Sequence, residues 1–412
     1  MNSCITHAQH HPNHKGVTDE HACRSGRTAE QKALQRSKVA NMSRLLDGVL
    51  NNYDKKIRPN LGEPTNVKIT MSIMAMGPVS EEDGTMTIDV YYRQLWTDLR
   101  LAFKSDTYTV LSLGMSMLDK IWKPDTYFWN GKDNTFLHEL TTPNRLVRLS
   151  ADGSILYSSR LTVSFDCQMH LWYYPMDVQL CVLKIGSFGY RDNELMMSIE
   201  RPTISNSEMA QFALRNISTR HQYEDTVHGR FSTLEVHMLL ERRLGYYVMN
   251  YYFPATLILS LSWISFWLPR EATADRLGLG VTTVLTMTFY SMDARQSLPK
   301  IGYPTALDVY LLIVFFLLFL CIFECTIVHV NTKYATGDED THAVLEAKRV
   351  AILRRQGMLP HQKSDPDNTD INSISQIDRG SRLVFPIIYA VLMYAYWKVY
   401  IGLHDLDAGD SG

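Results

Sequence analysis

The chain has 412 residues, enough for two domains or more, and its 41 basic and 43 acidic side chains leave it near neutral. That balance excludes the strong positive field expected of a nucleic-acid partner. No nucleophile, base and oxyanion donor fall into an enzyme's pattern (His170 near Asp166 reads as a strand pair), so neither catalysis nor a cofactor is expected.

Residues 1–26 are polar and read as a disordered tail; it holds Cys4, Cys23, His7, His10, His11 and His14, and no metal site is expected from them. No apolar run near the N-terminus marks a signal peptide, which suggests a mature or trimmed chain. From Arg27 to Tyr53 the spacing of Leu34, Val39, Leu45, Leu46, Val49 and Leu50 predicts a helix. Between Asn66 and Glu241, short alternating segments such as Val67–Met76, Thr85–Tyr92, Leu146–Leu149, Ile155–Phe165 and Val178–Ile185 predict strands. Gly, Pro, Asp and Asn clusters punctuate them, which points to an antiparallel β-sandwich. Cys167 and Cys181 stand thirteen residues apart without a CxxC or a His pair to suggest zinc or redox work. The triplets Asn41-Met-Ser43 and Asn216-Ile-Ser218 suit glycosylation of Asn41 and Asn216 in an extracellular first half, although such triplets also arise by chance.

At Gly245 the character changes. Gly245–Leu268, Arg276–Arg295, Ala306–Val330 and Leu383–Leu403 are four candidate spans. The loop between the last two is rich in Lys and Arg, with a basic helix expected over His342–Gln356 and a linker over Pro360–Gln376. The positive-inside rule puts that loop in the cytoplasm and both termini outside a plasma membrane crossed several times. The expected divisions are a domain at 27–244, three spans within 245–330, a cytoplasmic loop at 331–381, a fourth span at 382–403 and a tail at 404–412.

The second span is too polar for a helix wrapped in lipid. Asp275, Gly278, Thr282, Leu285, Phe289, Met292 and Gln296 fall on one helical face. Charges and hydroxyls inside a membrane nearly always face protein or water, so this stripe is expected to line a pore. The competing reading is a buried bundle helix whose Thr hydroxyls bond back to its own carbonyls.

Several motifs then coincide in order. Trp122-Lys-Pro-Asp125, Cys167-x13-Cys181 with Tyr174-Pro175-Met176-Asp177, Leu261-Ser-Trp-Ile-Ser-Phe-Trp267, Gly278 to Thr288 and Ser297-Leu-Pro299 resemble the Cys-loop receptors. Those are the pentameric ligand-gated ion channels, and the glycine and GABA receptor branch is most similar. The resemblance implies a Cys167–Cys181 disulfide, a homo- or hetero-pentamer in membrane lipid, permeant ions, and a small-molecule agonist between neighbouring subunits. It implies an aromatic box of Tyr91, Tyr127, Phe188, Tyr190 and Phe231, with Arg93, Arg148 and Ser158 on the facing side for an agonist carboxylate. His228, in the loop before Phe231, is a candidate for a ligand or proton role, against an ordinary exposed loop histidine. Coupling to the pore is expected through Tyr174, Pro175 and Asp177, the turn at Glu81 and Glu82, Arg242, and the Arg295–Tyr303 linker with Pro299.

This chain also departs from the branch. It has Gly186 where the branch holds the agonist amine with Glu, and Thr226 where an aromatic is usual. It has Asp275 where anion channels carry Pro-Ala before the pore arginine. Five Asp275 side chains favour cations, unless Arg276 or Arg270 neutralises them. Phe289 with Leu285 and Met292 predicts stacked apolar rings and a strongly closed pore. The expected function is a ligand-gated channel leaning to cations, with a chloride channel or a non-conducting accessory subunit as alternatives.

Overall fold

The computed structural model describes residues 16–105, 108–132, 135–138, 142–269, 272–296, 298–355 and 376–410. The first helix, α1, spans Gly16–Leu50. It begins well before the expected Arg27, so the tail expected at 1–26 is helical from Gly16 onward. Strands follow: β1 (Thr65–Ser80), β2 (Thr85–Thr97), β3 (Val110–Leu113), β4 (Thr126–Phe128), β5 (Phe136–Leu137) and β6 (Arg145–Ser150). Then come β7 (Ser154–Asp166), β8 (Val178–Ser187), β9 (Leu195–Ile199), β10 (Thr203–Ile204), β11 (Phe212–Thr226) and β12 (Gly229–Arg242). A short helix, α2 (Met115–Leu118), lies between β3 and β4.

The larger sheet runs β10-β1-β2-β7-β6-β3, with β5 on β7 and β9 on β1; the smaller runs β11-β12-β8-β4. Pairing is mostly antiparallel as expected, but β9 and β10 lie parallel to β1. The alternation that predicts the strands also packs them. Val67, Ile69, Met71 and Ile73 of β1 and Met86, Ile88 and Val90 of β2 point inward and are fully buried. Leu183 and Ile185 of β8 and Leu234 and Val236 of β12 join them in one core. Each such side chain contributes about 1.5–3 kcal/mol of apolar burial. The residues between them face out, and the candidate ligand-site residues Tyr91, Arg93, Arg148 and Ser158 belong to that outer set. His170 is not strand-paired: it lies beyond β7, where its N–H donates to Gln179 Oε1 at 3.0 Å, while Asp166 holds Lys132 at 2.9 Å.

The first expected span is helical in pieces. It comprises α3 (Gly245–Tyr247), a π turn at Val248–Tyr252, α4 (Phe253–Ser262) and a 3-10 turn at Trp263–Trp267. Pro254, lacking an N–H, sits at the start of α4 just after the π turn. The pore candidate is α5 (Thr273–Ala294), followed by α6 (Ala306–Arg355) and α7 (Gln376–Asp410). Among the described residues, Ala306–Thr332 and Gln376–Gly402 are long and apolar enough to cross a bilayer by composition alone. The hydroxyl-rich α5 and the interrupted first segment are not. Helix α6 does not stop at Val330; it continues through most of the expected basic helix, and nearly all of the expected linker lies outside the described residues. The helices share an aromatic core in which the Tyr252 and Tyr396 hydroxyls meet at 2.8 Å and Tyr310 donates to the Tyr252 carbonyl at 2.9 Å.

Candidate functional site

The outer face of the larger sheet carries a basin of about 570 Å³. Strand register builds it: Arg93 of β2 stands opposite Ser158 of β7, Tyr91 opposite Arg160, and Arg148 of β6 opposite Leu156. Arg145 completes a set of four arginines around the basin. Arg93 donates to Ser72 Oγ at 2.7 Å and lies 5.6 Å from the Tyr91 ring centre. Four guanidinium groups around one hollow suit an anion, which arginine grips through paired N–H donors. Arg145 and Arg160 were not singled out from the sequence. Arg160 was legible there, since it follows Ser158 by two residues and so shares its face.

The expected aromatic box is divided. Tyr91 lies in the arginine basin, whereas Tyr127 is on the smaller sheet and Phe188 just past the end of its strand β8, their rings edge to face at 5.6 Å. Phe188 is 78% exposed. Tyr190 turns inward instead, accepting a hydrogen bond from Trp122 Nε1 at 3.1 Å. Phe231 is half-buried on β12 opposite Glu224, and His228 is exposed in the tip of the β11–β12 hairpin. Trp129, two residues beyond Tyr127 and stacked on it at 5.8 Å, adds a ring that sequence reading passed over. Asp125 fixes the neighbouring turn, accepting from Ser187 Oγ and the Gly189 N–H, each at 2.6 Å. The aromatic face and the arginine basin therefore belong to different sheets of one chain.

Below the sandwich, the Cys167–Cys181 disulfide is formed. Arg242, at the end of β12, is buried against Asp177, Glu81 and the Tyr247 hydroxyl. Burial opposes its charge, but Asp177 more than compensates and raises its pKa further. Tyr174 is also buried, which raises its hydroxyl pKa, and its bond to Pro175 is cis. The Trp172 carbonyl receives the Ala306 N–H and the Tyr174 carbonyl receives the Leu307 N–H, both at 3.0 Å. Trp172 stacks on Tyr303 at 4.2 Å. Thr305 and Asp308 cap α6 reciprocally, and Asp308 also holds Arg295 at 2.8 Å. Pro299 is half-buried in this linker, while Glu82 is exposed and Ser297 is outside the described residues.

On α5, Asp275, Gly278, Thr282, Leu285, Phe289 and Met292 are all exposed, as is Gln296 in the turn just beyond it. Arg276, Gly280, Thr283, Met287 and Ala294 form the buried stripe on the other side. Gly280 brings α5 close to α6, since a Cβ there would fall 2.7 Å from Ile322 Cγ1. Thr282, Thr286 and Thr288 do bond back to Gly278, Thr282 and Val284 carbonyls at 2.6–2.9 Å, yet they remain exposed. Arg276 turns inward onto Asp378, with Glu324 at 3.8 Å. It is thus held away from Asp275, which has no ion-pair partner among the described residues; Arg270 lies outside them. Asn41 and Asn216 are both exposed.

Residues 42–244 match the neurotransmitter-gated ion-channel ligand binding domain, and residues 251–373 match the neurotransmitter-gated ion-channel transmembrane region. The chain is 37% identical over 386 residues to "Gamma-aminobutyric acid receptor alpha-like" of Drosophila melanogaster, covering 74% of this chain and 56% of that protein. It is 34% identical over 413 residues to "Gamma-aminobutyric acid receptor subunit alpha-2" of Rattus norvegicus, covering 90% of this chain and 91% of the relative.

Proposed function

The chain belongs to the neurotransmitter-gated ion channels, and from that premise we propose a five-membered ring that opens a cation pore when a small organic anion binds between subunits. The observation that carries this is the division of the site. One chain presents aromatic rings on its smaller sheet and four arginines on its larger one, so a closed cleft takes the aromatic face of one copy and the basin of the next. Such head-to-tail contacts generate rings. In this arrangement the pore stripe of α5 faces the central axis, the long basic loop is cytoplasmic and both termini are extracellular, in a plasma membrane crossed four times. The names of the relatives make γ-aminobutyrate the first compound to apply.

The test is recording from cells that express this chain alone, with γ-aminobutyrate and simple carboxylates applied outside. Removing a charged hydrogen-bond donor costs about 1.5–3 kcal/mol, so Arg148→Gln is expected to weaken agonist potency roughly 10- to 100-fold. Unchanged potency in both Arg93→Gln and Arg148→Gln would remove the basin from the site. A subunit that binds but conducts poorly is the second reading. It is favoured by Phe289, whose ring is 64% exposed on the pore face between Leu285 and Met292.

A further inference from the structure

The aromatic face holds a residue that fixes which anions fit, given that this face forms one wall of the agonist cleft as proposed above. In β4, Tyr127 stands directly opposite Gly186 of β8, and Trp129 lies two residues on, on the same face. The Trp129 N–H donates to the Lys184 carbonyl at 3.0 Å, and its indole stacks on Tyr127. The ring is thereby laid across Gly186. A Cβ at Gly186 would fall 1.9 Å from Trp129 Nε1 and 2.7 Å from Cδ1. Gly186 does not occupy the left-handed region, so its backbone has no need of glycine. The indole above it does.

Three acids of this part of the chain, Glu235, Glu224 and Asp125, are already engaged. Glu235 is bound by Lys184 at 3.1 Å and His237 at 3.0 Å. Glu224 is bound by Lys184 at 3.2 Å, and Asp125 is taken by Ser187 and Gly189. The Trp129 Nε1–H is itself buried without an acceptor among the described residues. We propose that Trp129 is the specificity-determining residue of the cleft. Its indole fills the volume a carboxylate side chain at position 186 would need, so the site accepts small carboxylates without rewarding an ammonium group.

The experiment measures binding of γ-aminobutyrate and butanoate, its counterpart lacking nitrogen, to the full-length receptor in detergent. The wild type is expected to bind the two within about threefold of each other. Trp129→Ala/Gly186→Glu is expected to favour γ-aminobutyrate by about tenfold or more, because a carboxylate then has both room and a cationic partner. Gly186→Glu alone is expected not to gain this preference. In case that single variant fails to fold, Gly186→Ala is compared in two backgrounds: it lowers the thermal midpoint where Trp129 is intact and leaves it unchanged where Trp129→Ala has removed the indole. The proposal is overturned by a tenfold ammonium preference in the wild type, by the same gain in Gly186→Glu alone, or by no gain in the double variant. Adding Arg148→Gln separates the two ideas. If it leaves carboxylate affinity unchanged while the double variant still gains its preference, the basin assignment fails and the role of Trp129 stands.

Discussion

Arg242 and Asp177 meet fork to fork: Nε lies 2.6 Å from Oδ1 and Nη2 lies 3.1 Å from Oδ2. The guanidinium is also held between the rings of Phe212 and Tyr174, at 4.5 Å and 4.7 Å. Asp177 sits in the loop whose Trp172 and Tyr174 carbonyls receive the first N–H groups of α6. The pair therefore links the last strand of the sandwich to the helices.

A lysine at 242 keeps the charge and loses the fork. Arg242→Lys is expected to lower the maximal evoked current about tenfold per receptor at the surface, with a smaller change in agonist binding. Arg242→Gln leaves Asp177 buried without its partner, a loss of about 3–5 kcal/mol, and is expected to reduce surface expression as well. Current normalised to surface protein decides the point; a proportional fall in binding and current would argue against a coupling role.

Asp98 gives the sandwich an acid-sensitive anchor. It is fully buried, accepts from the Tyr53 hydroxyl at 2.8 Å, and holds Arg100 at 2.7 Å. Burial opposes its charge, but the bonds from Arg100 and Tyr53 outweigh burial and hold its pKa below the usual carboxylate range. Burial in turn pushes the Tyr53 hydroxyl up to about 12. A depressed carboxylate stabilises the fold above its unfolded pKa of about 4, and that stability drains away as pH falls through the lower, folded value. Asp98→Asn is expected to cost roughly 2–3 kcal/mol at neutral pH, with the two thermal midpoints converging as pH falls below the folded value. A gap that persists unchanged in acid would mean that packing, rather than charge, is what the mutation removes.

What the sequence exposed and what it concealed divide by range. Period-two alternation located β1, β2, β7 and β8 because each has one face in the core, and the polar stripe of α5 stood out because lipid-facing helices lack one. Trp129 and Arg160 were within reach, since each sits two residues from a residue already singled out. Tyr91 lies among the arginines of β2, β6 and β7 rather than beside Tyr127, because residue type does not say which sheet a tyrosine leaves. Arg276 with Asp378 was out of reach: the partners are 102 positions apart and nothing local marks them. The glycine at 186 was legible as a departure, but the indole laid across it, from Trp129 in the turn after β4, was not.

Phe289 offers a test of the closed gate. With Leu285 and Met292 it exposes three large apolar side chains in succession along one face of α5, the face proposed to line the pore. Rings of such groups stop ions by excluding water, without needing to touch. Phe289→Thr is expected to raise current in the absence of agonist and to increase agonist sensitivity. Surface-expressed receptor with neither change would show that the constriction lies elsewhere.

Ion selectivity turns on where the charges of α5 are directed. Arg276 is drawn inward to Asp378 and Arg295 is held by Asp308, so each arginine beside the pore stripe already has an acid of its own. Asp275 and Asp293 are exposed, and among the described residues neither has an ion-pair partner. They are eighteen positions apart, which is about five turns at 3.6 residues each, so both acids leave the helix in the same direction, separated along its axis by about 27 Å. In a five-membered ring this places negative charge at each end of the pore, and acid rings draw in cations and repel anions. The reversal potential is expected to follow sodium rather than chloride. Asp275→Asn is expected to move it towards chloride, since that acid precedes the small residues at Gly278 and Thr282. Asp293→Asn, at the end of α5 nearer the sandwich, is expected to lower single-channel conductance with little shift in reversal, and more so at low ionic strength, where screening is weaker. A wild-type reversal potential that tracks chloride, unmoved by Asp275→Asn, would mean that Asp275 does not face the permeation path.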